Sequence, residues 1–400
     1  MNIILIAIGE NISTLEKNYL IIKGLVKNNV NVFPFHFAYD INIFYNFLKS
    51  YKTQNFNWEL LGILFKGNTK LQKLLNNAKI CLSLFYELKR LTKKTKIDAI
   101  IIPIECITEM LISLKIFSKL YSVPLVGNIM EYGPALPSYK NFRTKIRWKL
   151  LLKFCDAYIV ISKWLMNKLS IYKKPLFYLP VIFDPDMIDD LVNNKIISNF
   201  YKNNLFSKKP VLIYSSSNAY TDLLDFSLKA LSFLKHQDFL FVITGNYRED
   251  QKKYWLDFIK NIGLENKVFF SGYLSETELF ALMKQSTALL IPLLNNARHQ
   301  ARFPQKILDY IYLEKPIIST KVGEIDEHFI DGETAFLAKN VTPKSYSQKI
   351  KFVLDNLQKA NMVAKKAKEY IVKKFHFVKC TKELKIFLNK LKDSNIKNRP

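Results

Sequence analysis

Residues 298–310 read Arg-His-Gln-Ala-Arg-Phe-Pro-Gln-Lys-Ile-Leu-Asp-Tyr, directly after the apolar run ALLIPL (288–293). This order predicts a strand, a loop and a helix that starts near Pro304. A helix N-terminus presents unpaired N–H groups and a partial positive charge, which suit a phosphate. Arg302 and Lys306 add full charges at the same end. Asp309 follows Lys306 by three residues, about one helical turn, so the two can share a face. An ionised carboxylate there accepts the two hydrogen bonds of a vicinal diol such as a ribose. Cations for a diphosphate beside an acid for a ribose make a nucleoside-diphosphate site. An ordinary solvated helix face fits the same spacing.

Other candidates sit where strands end. Gly9 follows the run NIILIAI (2–8), where a tight loop can approach a phosphate closely or simply turn the chain. Glu131 and Tyr132 follow PLVGNIM (124–130); Glu131 is placed to orient an acceptor hydroxyl, or else to sit in solvent. His299 is a ligand contact or an exposed loop histidine. Ser138 to Lys153 holds six basic residues and no acid, interleaved with Phe142, Ile146, Trp148, Leu150 and Leu151. Lys140, Arg143, Arg147 and Trp148 therefore read as facing an anionic bilayer surface. Lys89, Arg90, Lys93, Lys94 and Lys96 form a second basic cluster. Plain lysine-rich domain helices are the alternative.

The elements that must hold these residues alternate. VLIYSS (211–216), FLFVIT (239–244), KVFFSG (267–272), ALLIPL, KPIIST (315–320) and TAFLAK (334–339) read as strands separated by helices. Ser275 to Glu278 forms a capping box, and Pro343 sits at a tolerated first helical position. The first half repeats the theme at 2–8, 31–35, 98–103, 124–130, 157–162 and 176–180, with 40–97 mostly helical. Short strands apolar on both faces argue for parallel sheets covered by helices. The expectation is α/β: two doubly wound Rossmann-like domains facing a cleft, with ligands beyond the carboxyl ends of the strands. The boundary falls at Phe183–Asp186, giving domains 1–184 and 185–375.

Composition narrows the classes. The 400 residues are 49% apolar and 24% charged, a globular mixture too long for one ordinary core. No run approaches the roughly 18 apolar residues of a spanning helix, and the opening residues read as a strand, not a signal peptide. Four scattered cysteines, Cys81, Cys106, Cys155 and Cys380, fit neither a metal site nor a disulfide framework and suit a reduced cytoplasm. The formal charge of +26 favours anionic partners, although an AT-rich genome also enriches lysine. No nucleic-acid motif accompanies the charge.

The segment RFPQKILDYIYLEKPIISTKVGEIDEHFIDGETAFLA (302–338) resembles the donor-site signature of glycosyltransferase family 4. That family often reads Phe-Pro-x-Lys-x-x-Glu-Tyr, then Gly-Lys-Pro-Val-Ile, then Asp-Gly-x-x-Gly. Phe303 to Tyr310, Lys315 to Ile318 and Asp331 to Ala335 are the counterparts. CDAYIVIS (155–162), LPVIFDPD (179–186), FVITGNYRED (241–250) and residues 268–292 agree in order and spacing. The resemblance spans about residues 150–395 well and the first 150 weakly.

It implies the GT-B fold and retaining transfer from a nucleotide-diphosphate sugar with no cofactor or metal. It also implies a last helix, about 376–400, that crosses back onto the first domain. Arg302, Lys306 and Glu131 become the catalytic candidates. Ser216, Gly245, Phe303, Pro304, Asp309 and Gly9 become the donor-binding ones. The partners implied are a nucleotide sugar, a lipid-linked or oligosaccharide acceptor and an anionic membrane surface, with no nucleic acid. The place is peripheral, on the inner face of the plasma membrane, in bacterial surface-polysaccharide synthesis. Two departures stand out: Ala301 replaces the family's first acid, and loop 215–221 lacks the usual cations. Glu314, where glycine is usual, falls at a helix C-terminus and costs stability there. A degenerate transferase acting as a scaffold and a nucleotide-sugar 2-epimerase are the competing readings.

Overall fold

Strands buried on both faces must draw helices onto both faces, and a crossover between parallel strands is right-handed. The computed structural model follows that rule twice. It describes residues 1–8, 12–38, 59–63, 69–192, 208–216 and 220–397. Two units result: Met1–Ile182 with Phe377–Pro400, and Phe183–His376.

The first unit is a seven-stranded parallel sheet in the order β3-β2-β1-β4-β5-β6-β7. Its central strands are β1 (Asn2–Ile8), β4 (Ala99–Pro103) and β5 (Leu125–Ile129), the last two buried along their whole length. β2 (Asn31–Ala38) and β3 (Glu59–Ile63) lie on one side. β6 (Ala157–Val160) and β7 (Leu176–Tyr178) lie on the other. β3 departs from the helical reading of 40–97. Its short apolar run becomes a strand because β2 offers a free edge, with Phe35 opposite Glu59.

α1 (Ile12–Lys27) carries the chain from β1 to β2. α2 (Lys70–Lys94), α3 (Thr108–Tyr121) and α4 (Phe142–Phe154) make the crossovers in the other direction. The handedness rule therefore puts these three on the face opposite α1. α5 (Lys163–Leu169) links β6 to β7.

The second unit is a six-stranded parallel sheet, β10-β9-β8-β11-β12-β13. β8 (Val211–Ser215), β9 (Leu240–Thr244) and β10 (Val268–Gly272) run outward one way. β11 (Ala288–Ile291), β12 (Ile317–Thr320) and β13 (Phe336–Ala338) run the other. α6 (Pro185–Val192), α7 (Thr221–Ser232), α8 (Glu249–Asn261) and α9 (Glu276–Gln285) precede the site segment. α10 (Ala297–Gln300), α11 (Lys306–Tyr312) and α12 (Glu324–His328) belong to it, followed by α13 (Pro343–Asp355) and α14 (Leu357–Phe375). Ser275 and Thr342 cap α9 and α13 as their spacing predicts. Glu314 ends α11 with φ 56, the left-handed position that favours glycine.

The last helix, α15 (Phe377–Lys397), leaves the second unit and packs along α1 in the first. Asn28 donates to the carbonyls of Gly24 and Val378 at 2.7 and 2.9 Å, and Lys385 donates to the Asn28 carbonyl. Gly24 permits the approach: a Cβ there would lie 2.9 Å from the Phe377 carbonyl oxygen and collide with the Thr381 hydroxyl. Replacing a helical glycine by alanine normally gains about 1 kcal/mol of helix propensity. Here contact wins. We expect Gly24→Val to cost about 1–3 kcal/mol through overpacking, read as a lower urea midpoint than wild type.

Candidate functional site

In each sheet the strand order reverses once, and loops diverge beyond the carboxyl ends of the two strands at that point. In the second unit these strands are β8 and β11, neighbours in the sheet. Everything that follows β8 and β11 is therefore brought together, although some 75 residues of sequence separate them.

The tail of β8 is pinned first. Ser216 donates its N–H to the Thr244 carbonyl at 3.2 Å. Gly245 has φ 139, and a Cβ on it would run into the Ser216 carbonyl oxygen, so only glycine lets β8 and β9 end this closely. The Ser215 hydroxyl accepts from Lys306 Nζ at 2.9 Å. This bond ties the start of α11 to the end of β8 and holds an exposed ammonium over the strand end.

The arginines meet on a ring. Tyr220, which leads into α7, has Arg298 Cζ 4.2 Å and Arg302 Cζ 4.0 Å from its ring centroid. Tyr214 donates its hydroxyl to the Tyr220 carbonyl at 3.2 Å, which fixes the platform. Two guanidinium groups against one aromatic ring each gain cation–π attraction, and the ring holds two positive charges near the ends of β8 and β11. Arg302 Nη1 is buried without a hydrogen-bond partner among the described residues.

His299 is neither exposed nor turned to a ligand. It is fully buried, and its Nε2 lies 3.3 Å from Asp222 Oδ2. That hydrogen bond is the main reason the Asp222 carboxyl is held below its ordinary range. The pair fastens α10, which carries Arg298, to the first turn of α7.

Several expectations need correction. α11 begins at Lys306, two residues past Pro304, and it is short. The Ile307 and Leu308 N–H groups already donate to the carbonyls of Pro304 and Gln305, so this end offers fewer free donors than expected. Phe303 and Pro304 are buried. The Phe303 ring stacks on His328 at 5.4 Å and meets Phe375 edge-on. It is a core side chain, because the loop needs an apolar anchor under its cations. Asp309 is not a plain ionised carboxylate: burial, then Glu276, push its pKa up to about 7, against the opposing pull of Lys306. Ala301 is fully buried, so no carboxylate stands at that position.

In the first unit the reversal lies between β1 and β4. Gly9 lies outside the described residues. Glu131, half-buried beyond β5, has a neighbour that the sequence reading missed. Glu105 follows β4, and its pKa is raised by burial and by Glu131, with Arg147 and Lys17 opposing. The two residues follow neighbouring strands, β4 and β5.

The bilayer-facing residues separate. Lys140 and Arg143 are exposed, whereas Trp148 is buried and Arg147 half-buried. The Trp148 ring meets Tyr132 edge-on at 6.1 Å, and Gly133 leaves room for it. Trp148 faces inward because α4 must cover its own sheet.

Tyr220, Asp222, Ser215 and Glu105 carry no signature that spacing would reveal. Ser217, Asn218 and Ala219 of the cation-poor loop lie outside the described residues.

Known proteins carry the same architecture. Residues 196–370, most of which fall in the second unit, match the model of the glycosyl transferases group 1 family. An uncharacterized glycosyltransferase of Methanocaldococcus jannaschii, MJ1178, is 26% identical over 163 residues, 40% of this chain and 43% of that protein. A second from the same organism, MJ1069, is 23% identical over 281 residues, 66% of this chain and 67% of that protein. The chain thus spans under half the length of the first relative and about two thirds of the second. The structure of Anabaena Alr3699/HepE in complex with UDP and glucose superposes with a TM-score of 0.73 at 16% identity, covering 98% of this chain and all of that one. The fold is that of the GT-B glycosyltransferases: two parallel-sheet Rossmann-like α/β domains.

A pH test follows from Asp309. Its native pKa lies above the unfolded value of about 4, so the native state holds the proton more tightly. Stability then falls as pH rises from about 4 to about 7 and levels off above that. We expect Asp309→Asn to remove that slope, seen as melting temperatures that decline less than wild type between pH 4 and 8.

Proposed function

We propose that the chain transfers a sugar from a nucleotide-diphosphate donor, with UDP as the nucleotide, to a glycan acceptor with retention of configuration. The observation that carries this reading is the set of Arg298, Arg302 and Lys306 at the ends of β8 and β11. The glycosyl transferase domain match and the UDP bound by Alr3699/HepE support it.

The chemistry fits those side chains. As the anomeric C–O bond of the donor breaks, negative charge grows on the departing diphosphate. Preorganised cations aimed at that charge lower the barrier more than they tighten ground-state binding. Tyr220 and Ser215 hold the cations before the donor arrives. With side chains supplying this charge, the transfer needs no metal. Ser216, Gly245 and Asp309 are the remaining donor-binding candidates, Asp309 for the ribose. In the first unit Glu131 orients the acceptor hydroxyl. The acceptor is a lipid-linked or oligosaccharide glycan of bacterial surface-polysaccharide synthesis, a reading that rests on the family resemblance.

Thermal unfolding with UDP, GDP and CMP, each with and without EDTA, tests the donor. UDP at a hundred times its dissociation constant should add about 2.7 kcal/mol of stability, unchanged by EDTA. A shift with GDP alone would replace the base, and no shift with any nucleotide would favour a non-catalytic scaffold. Lys306→Ala should lower turnover of a UDP-sugar by about a hundredfold or more while the melting temperature of the free protein stays close to wild type. Tyr220→Ala should weaken UDP binding without touching a ligand-free charge, because it releases both guanidinium groups. Near-full activity in Lys306→Ala would remove it from the catalytic set.

A further inference from the structure

A helix on a sheet needs one apolar stripe, and its other side is normally polar. α2 has two stripes. Ile80, Leu84 and Leu88 are buried in the first unit. Leu71, Leu75, Leu82 and Tyr86 fall on the opposite side, within about 60° of one another by the 3.6-residue period. They are 55% to 71% exposed. α3 repeats the pattern: Met110, Leu114 and Phe117 are buried, while Ile112, Ile116 and Leu120 turn outward at 45% to 67% exposure. On α4, Phe142 is exposed as well.

The three helices are neighbours in one layer, α2 against α3 and α3 against α4. Phe85 of α2 meets Phe117 of α3 edge-on at 5.8 Å. Their outward apolar side chains therefore form one surface instead of scattered exposures, and such a patch marks an interaction site.

We propose that the outward faces of α2, α3 and α4 dock the protein onto an anionic lipid bilayer. Charge complementarity selects that occupant. Exposed Lys89, Lys93 and Lys94 continue the end of α2, Lys119 lies on α3, and Lys145, Lys149 and Lys153 line α4. Glu87 and Glu109 are the only acids in the three helices, and Glu87 is held by Arg90 at 2.6 Å. Apolar side chains with a lysine rim enter the headgroup boundary while the ammonium groups meet lipid phosphates. A second copy of the chain fits poorly, because a two-fold interface would set this basic surface against itself. No helix among the described residues is long and apolar enough to cross a membrane, so the contact lies on the bilayer. The surface differs from the one read in residues 138–153 alone: Trp148 is excluded, and α2 and α3 supply most of the apolar area.

Co-sedimentation of the full chain with vesicles tests this. One set is pure phosphatidylcholine, and the other contains equal parts phosphatidylcholine and phosphatidylglycerol. We expect binding to the anionic set only, weakened by salt. Leu82→Glu/Ile116→Glu should lower partitioning by tenfold or more. Lys89→Ala and Lys93→Ala should each lower it about fivefold, the equivalent of about 1 kcal/mol per lysine. All four positions are exposed, so the variants should keep the wild-type melting temperature. Their response to UDP should also match wild type, which separates this result from the donor assignment. Failure of the wild type to bind anionic vesicles overturns the proposal, as does equal binding by the variants. A concentration-dependent dimer dissolved by Leu82→Glu/Ile116→Glu would instead assign the face to a second copy.

Discussion

Parallel strands buried on both faces permit only right-handed crossovers, and every functional placement in this protein depends on that constraint. A chain that builds outward from β8 in one direction must return to begin β11 beside it. The loops that leave β8 and β11 then diverge and leave room for a ligand. Ser215 and Lys306, 91 residues apart, meet at 2.9 Å for this reason. The first unit has the same reversal between β1 and β4, and one strand further on Glu105 and Glu131 follow the neighbouring strands β4 and β5.

Around the second reversal, the protein gathers three cations at the ends of two strands. Asp222 and Asp309 stand in the fields of Arg298 and Lys306. Tyr220 gives two guanidinium groups an aromatic ring, and Ser215 gives the ammonium a neutral oxygen. The hydrogen bond between Asp222 and His299 serves to fix α10 against α7.

The outer layer of the first unit obeys a different balance. α2 and α3 each satisfy their sheet with one apolar stripe and carry a second that the unit does not use. In water such a stripe gains nothing. A surface that is both apolar and basic is matched by a bilayer with anionic headgroups, in which both features find partners.

Periodicity and local chemistry were legible in the sequence. The strands of both sheets, the caps at Ser275 and Thr342, and the strained helix end at Glu314 depend on neighbours within a few residues. The resemblance in 302–338 pointed to the cations. What failed depends on neighbours far along the chain. The strand Glu59–Ile63 formed because β2 had an open edge. Phe303 and Trp148 turned inward because each had a core to fill, which a helical or loop pattern does not reveal. His299 found Asp222 from 77 residues away, and Asp309 met the field of Glu276. Apart from Glu59–Ile63, the sequence alone determined which of the segments described become strands and helices, and where the cations lie along the chain. Only the tertiary structure decided which of those side chains face solvent, stack on Tyr220 or lose their charge, because burial and long-range pairing are set by what packs against a residue and not by its spacing.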